Sequence, residues 1–285
     1  MKTKGWRIAI VTGAVAIVVL AVAAWRVGLP LLRFWKLFEP LGRNAQGFSE
    51  YRHRQTGIVM VSLAGGKFPM GAQKTDPKGP NYDPEAEDDE RPVHEVTLSP
   101  FLIGKFEVTQ AGWKAAMGSN PSKFMGDDQP VEQVSWDDIQ GFNAKTGFRL
   151  TTEAEWEYAC RGGSAAPIAG TGMLKKMGWY SGNTGTTTNP VGKKNANGFS
   201  LHDMHGNVRE WCEDVYEEGF YVKPEAVGPD PVGTHDPVGR SPPGLRVIRG
   251  GCWRDHPMLC RSSVRGWFER QYRDEYLGFR VIWRP

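Results

Sequence analysis

Cysteine is scarce in this sequence: there are four among 285 residues, and no two form a C-x-x-C pair. Structural zinc sites of the finger or ribbon type need such pairs, so that class is excluded. An excess of one charge is also missing. The 35 basic and 32 acidic residues are interspersed and leave a formal net charge of +3. No basic stripe or recognition motif stands out, so no nucleic-acid partner is expected. No internal repeat is visible, which argues against a solenoid or propeller. The six histidines (His53, His94, His202, His205, His235 and His256) contain no i, i+4 pair of the kind that holds a metal on one helix face.

What is plentiful is glycine (35), proline (20) and tryptophan (11). So many turn formers and indoles argue against a helical bundle and for short strands and helices joined by many loops, an α+β chain. At the N-terminus Lys2, Lys4 and Arg7 precede an apolar run from Ile8 to Ala24, bracketed by Trp6 and Trp25. As a helix that run would span roughly 26 Å, at the short end for a membrane crossing. Two readings stay open. One is a retained transmembrane anchor, favoured by the length of the run. The other is a cleaved signal, for which Ala21-Val22-Ala23 offers small residues. Both deliver the rest of the chain to the periplasmic or extracellular side. The chain therefore divides into an anchor or signal (1–27), a juxtamembrane connector with a short interfacial helix at Leu31–Phe38 (28–55), and one domain (56–285).

Within the domain, an apolar strand after Gly57 ends at Gly65-Gly66, a hairpin signal. The stretch Lys74–Glu90 is polar, acidic and proline-bearing, and reads as a solvated surface loop. His94–Leu98 alternates as a strand. Thr109 is placed to cap a helix over Gln110–Met117. Ser135 and Asp138 form a capping box for Trp136–Lys145, and Thr152 and Glu155 one for Glu153–Cys160. A last strand runs through Phe279-Arg280-Val281-Ile282.

A series of phrases then occurs in a telling order. It starts with Gly65-Gly66-Lys67-Phe68-Pro69-Met70-Gly71, Phe106-Glu107-Val108-Thr109 and Pro130-Val131-Glu132-Gln133-Val134-Ser135-Trp136. Next come Arg149-Leu150-Thr151-Thr152-Glu153-Ala154-Glu155-Trp156-Glu157-Tyr158-Ala159-Cys160-Arg161-Gly162-Gly163 and Leu201-His202-Asp203-Met204-His205-Gly206-Asn207-Val208-Arg209-Glu210-Trp211. Arg249-Gly250-Gly251, Cys260-Arg261-Ser262 and Leu277-Gly278-Phe279-Arg280 complete it. In these phrases the sequence resembles the formylglycine-generating enzyme, or sulfatase-modifying factor, family. The resemblance implies an irregular variant of the C-type lectin-like fold.

Active members of that family hold copper(I) between two cysteines in the loop after the Arg/Lys-Gly-Gly strand, and oxidise a substrate cysteine to formylglycine. Here the loop reads Cys252-Trp253-Arg254-Asp255-His256-Pro257-Met258-Leu259-Cys260. Asp255 falls where an active cysteine belongs, whether counted from Gly251 or back from Cys260. Copper is therefore not expected, and Cys252, at a position usually serine, is the one catalytic candidate. By the resemblance Cys260 pairs with Cys160 in a disulfide, closing a loop worth about 4–5 kcal/mol. Cys212 and Cys252 then either form a second bridge or stay apart. An iron site at His202, His205 and His256, after a related branch of the superfamily, is a further alternative.

The resemblance also implies a calcium site, with side chains from Asp203 and Glu210 and carbonyls from Gly206 and Val208. The alternative is that the two acids simply cap this turn. A second family calcium site is lost, because Ser181–Asn189 carries no acid. The expected binding face comprises Trp253, Arg254, Asp255, His256, Trp267 and Arg270, beside Phe268, Tyr272 and Arg273. Three functions follow as expectations. The first is a non-catalytic binding or accessory domain with a protein or envelope partner. The second is an oxidase acting on exported proteins. The third is a structural subunit of an envelope assembly.

Overall fold

The computed structural model describes residues 32–234 and 244–284. The expected anchor at Ile8–Ala24 lies outside them. Among the described residues no helix is long and apolar enough to cross a membrane. The chain divides into a leading unit ending at Glu39 and a body from Pro40 to Arg284. In the leading unit residues 32–37 are helical, as expected for the short helix, and Phe34 packs edge-on against Trp35 at 4.9 Å.

The strands are β1 (Phe38–Arg43), β2 (Ser49–His53), β3 (Val59–Leu63), β4 (Gly66–Met70), β5 (His94–Leu98) and β6 (Phe101–Gly104), then β7 (Arg149–Leu150), β8 (Arg209–Val215), β9 (Gly228–Pro229), β10 (Leu245–Arg249), β11 (Gly266–Glu269), β12 (Leu277–Phe279) and β13 (Val281–Trp283). The helices are α1 (Gln110–Met117), α2 (Trp136–Thr146), α3 (Glu153–Arg161) and α4 (Leu174–Met177). Three sheets result, ordered β1-β2-β3-β6-β13-β7, β11-β10-β8-β12 and β4-β5-β9. Most pairings are antiparallel, while β12 runs parallel to β8 and β9 to β5. The C-terminal strand β13 inserts between β6 and β7, so the last residues of the chain close the largest sheet.

Two of its strands come from the stretch read as a connector. Glu50 pairs with Val61 and Tyr51 with Met60, so the sheet begins well before residue 56. The reason is tertiary: β3 is buried on both sides and needs β2 to complete its ladder.

The caps form as the sequence indicates. Thr109 Oγ1 accepts from Gly112 N, and both capping boxes close. Each of these three helices ends on a left-handed glycine: Gly118, Gly147 and Gly162. The acidic loop departs from the expectation of a fully solvated segment. Asp83 and Glu90 are buried and clamp Arg261 at 2.6–2.9 Å. Asn81 donates to the carbonyls of Pro69 and Gly71. Only the outer part, including Glu85, Glu87 and Asp88, faces water.

Charge runs through the interior. Arg249 lies between Glu153 and Glu157, and also donates to the carbonyls of Ser262 and Ser263. Glu153 takes a second guanidinium from Arg265 at 2.8 and 3.0 Å. Helix α3 is almost wholly buried although half its side chains are polar, because every acid on it meets an arginine or a backbone N–H. This lattice of buried pairs holds α3, β10 and the segment after Cys260 in one arrangement.

Candidate functional site

The loop after β10 starts with two glycines in left-handed conformation, φ 96° at Gly250 and 70° at Gly251. A β-carbon on Gly251 would come within 2.7 Å of Cys260 Sγ. Glycine is therefore required there for the chain to pass the sulfur. Asp255 is buried and bidentate to Arg209, at 2.9 Å to Nε and to Nη2. Its Oδ2 also accepts the N–H of Cys252 at 2.9 Å. The carboxylate thus closes the loop on itself and on β8. Arg209, on which this hinges, was not among the expected site residues, and 46 residues of sequence separate the pair.

All four cysteines are buried free thiols. The bridge expected between Cys160 and Cys260 is not formed in the structure. Cys160 Sγ lies instead 3.6 Å from the Met204 carbonyl and 3.8–3.9 Å from the His205 ring nitrogens. The alternative second bridge is not formed either. Cys212 sits in β8 with its sulfur 3.7 Å from Thr151 Oγ1, while Cys252 belongs to the Asp255 turn. Burial pushes the Cys252 and Cys160 thiols up to about 12. A thiol held protonated in this way is a poor nucleophile at neutral pH.

The three candidate histidines do not converge on one site. His205 Nδ1 donates to the Cys260 carbonyl at 2.8 Å and Nε2 accepts from Ala169 N at 3.0 Å, and burial lowers its pKa to about 4. It is a neutral packing residue with both nitrogens used. His202 faces the Lys194 carbonyl, and His256 is exposed, capping the turn at Pro257–Cys260. Among the described residues no three His, Cys, Asp or Glu side chains are grouped to hold a metal ion by themselves.

The calcium candidates form a more telling cluster. Asp203 is buried with φ 59°. Its Oδ2 accepts from Gly192 N at 2.7 Å, while Oδ1 is buried with no hydrogen-bond partner. Glu210 accepts from Trp156 Nε1 at 2.8 Å and from Arg280 at 2.8–3.2 Å. Glu107 accepts from Asn207 Nδ2 and Val208 N. Burial, with Asp203 and Glu210 nearby, drives the Glu107 pKa well up, and burial lifts Asp203 to about 6. Of these three buried acids only Glu210 bonds the Arg280 guanidinium, and Asp203 Oδ1 is left orphaned. A hard divalent cation suits that imbalance, provided that carbonyls such as those of Gly206 and Val208 complete its shell. Gly206 is fixed by close approach, since a β-carbon there would lie 2.1 Å from the Trp179 carbonyl. Glu107, Asn207 and Arg280 were missed as members. An acid flanked by apolar residues in Phe106-Glu107-Val108 is the signal that could have found Glu107.

The expected binding face splits in two. Trp253 is buried, with Nε1 reaching the Glu275 carbonyl and its ring edge-on to Phe124 at 5.8 Å. Trp253 and Asp255 therefore shape the loop from within. Arg254 is exposed and sits 3.7 Å from the Tyr276 ring centroid. Arg270 is exposed and donates to Asp137. Trp267, on β11, is 46% exposed and borders a cavity of about 710 Å³ between the acidic loop and the segment from His256 to Trp267.

Comparison with known proteins agrees with this architecture. The family model for the sulfatase-modifying factor enzyme 1-like domain matches residues 45–285. The chain is 30% identical over 246 residues to the chaperone protein LppX of Paenibacillus barcinonensis, covering 66% of this chain and 81% of that one. It is 29% identical over 297 residues to the formylglycine-generating enzyme of Thermomonospora curvata, covering 79% and 93%. The solved structure of PvdO from Pseudomonas aeruginosa superposes with a TM-score of 0.69 at 27% identity, covering 82% and 97%. With the fold, the matched span and the ordered phrases in agreement, this chain belongs to the sulfatase-modifying factor, or formylglycine-generating enzyme, family.

Proposed function

We propose that this chain is a membrane-anchored, extracytoplasmic binding or accessory domain of its family that does not carry out copper-dependent cysteine oxidation. The observation that carries this reading is the state of the loop after β10. Copper(I) is best held by two soft thiolates. Here the central position is Asp255, locked by Arg209 and by the N–H of Cys252, and Cys252 is buried. The lysines and arginine ahead of Ile8–Ala24 support anchoring with the domain outside the cytoplasm. A relative named as a chaperone supports an accessory role acting on another polypeptide. Calcium at Asp203, Glu210, Gly206 and Val208 would serve structure, by neutralising the buried acids beside β8.

The test is direct. The detergent-solubilised full chain is loaded with copper(I) and incubated with oxygen and a cysteine-containing peptide, and the peptide is followed by mass spectrometry. No conversion and no stoichiometric copper uptake are expected. Turnover of the peptide to formylglycine would overturn the reading and restore the oxidase.

A further inference from the structure

The cavity beside β11 has a chemistry of its own. Five carboxylates line it (Glu87, Asp88, Asp89, Glu90 and Glu218) against two guanidiniums, Arg261 and Arg265. Both guanidiniums are already committed. Arg261 is clamped by Asp83 and Glu90. Arg265 is bidentate to Glu153 and donates to the carbonyls of Asp89, Glu217 and Glu218. They therefore offer little to an anion. At the rim Asp88 pairs with Arg91, while Glu87 and Glu218 are exposed and no ion pair holds either among the described residues. The mouth is thus net negative.

The same cavity gathers exposed apolar surface. Trp267, Met258 and Leu259 are 46%, 40% and 41% exposed, and all three line it. Aromatic side chains half-exposed at a cavity mouth are frequent binding anchors. Trp267 leans toward Tyr216, with ring centroids 6.1 Å apart, and Tyr216 donates to Asp89 at 2.8 Å. A cation entering here meets an aromatic face and carboxylates together, the arrangement that favours ammonium or guanidinium groups. Strand β11 is also the last strand of its sheet, and among the described residues nothing pairs with its outer edge. An edge strand offers main-chain donors and acceptors to an extended polypeptide.

Resting on the binding-domain reading above, we infer that this cavity docks a basic polypeptide segment of a partner, with a Lys or Arg side chain between Trp267 and the Glu87/Glu218 rim, and an apolar neighbour on Met258 and Leu259. Charge complementarity chooses this occupant over an anionic lipid surface, which the rim would repel.

The experiment pans a random-peptide phage library against the immobilised full chain in detergent. Enriched peptides are then synthesised and titrated against wild type, Trp267→Ala and Glu87→Lys/Glu218→Lys, with melting curves showing that the variants are folded. The expected result is enrichment of Lys or Arg next to apolar residues, affinity that falls with added salt, and a loss of roughly tenfold or more in both variants. Two outcomes overturn the cavity proposal: no enrichment, or enriched peptides that bind both variants as tightly as wild type. In the second case the chain still binds polypeptide, so the binding-domain reading survives the failure. Oxidation of a cysteine peptide, measured separately, would instead sink that reading and leave the cavity result standing.

Discussion

Asp255 illustrates how one residue can exchange chemistry for structure. Between Arg209 and the Cys252 N–H it contributes three hydrogen bonds from one buried carboxylate. Asp255→Ala would leave a largely buried guanidinium unpaired and free a backbone donor. A loss of about 2–4 kcal/mol is expected, given the partial exposure of Arg209. Urea unfolding of the purified domain checks it; a change below about half a kcal/mol would show that the loop does not depend on this clamp. The calcium site makes a second residue-level prediction. Saturating calcium should raise the melting temperature by about 5–10 °C, the shift expected when a ligand is present far above its dissociation constant. Asp203→Asn should reduce that shift, and a chelator should reverse it in wild type. A melting temperature indifferent to both calcium and chelator would leave Asp203 and Glu210 as turn-capping acids.

The residues that can be read from sequence are those whose partners are close in the chain. Thr109, the Ser135/Asp138 box and the Thr152/Glu155 box each solve a local problem, the orphan N–H groups of a helix start, and so carry a local signature. The family phrases located the loop after β10 and the Asp203–Glu210 turn. What was not legible lies in pairings at long range: Arg261 with Glu90 across 171 residues and Arg280 with Glu210 across 70. No periodicity marks these, and an acidic stretch looks solvated until its arginine is placed. Trp253 shows the converse, since an aromatic beside an arginine suggests an interface whether its ring turns inward or outward.

At the scale of elements, α3 is held by its ionic partners as well as by its apolar stripe. Its start is worth a modest amount: Thr152→Ala removes one cap and should cost about 1 kcal/mol. Glu157 is another matter. It accepts from Gly71 N, Arg161 and Arg249, and those positive charges hold its carboxyl below the usual range against burial. Glu157→Ala would take one carboxylate from two buried guanidiniums, leaving Arg249 to Glu153 and Arg161 to the Gly71 carbonyl, and a loss of about 3 kcal/mol is expected. Comparing the two variants by denaturant midpoint at constant slope separates the contributions. If they cost the same, the buried lattice is not what holds α3 in place.

At the scale of the whole molecule, the question is where the folded body begins. The segment before residue 56 is bound to the rest by more than β2–β3 pairing. Phe48 packs edge-on against Phe199 at 5.7 Å, Lys105 bonds Glu50 at 2.8 Å, and Gln46 donates to the Asn197 carbonyl at 3.0 Å. His53 is fully buried, with Nδ1 2.9 Å from Thr56 Oγ1 and its ring against Phe148. Burial lowers its pKa to about 4 from an unperturbed 6.5. The unfolded chain then binds a proton that the folded chain refuses. The stabilisation is complete above pH 6.5 and is lost as pH falls toward 4, by about 3 kcal/mol. Truncation to Gly57 removes this histidine with β1 and β2, and exposes the edge of β3. Compared with a chain beginning at residue 32, it should melt at lower temperature, self-associate through the bared edge, and lose the part of the acid sensitivity that His53 supplies. Equal melting temperatures and equal pH profiles would mean that the sheet is complete without its first two strands. A lower melting temperature with an unchanged pH profile would instead assign the stabilisation to strand pairing and side-chain packing, and deny His53 any share in it.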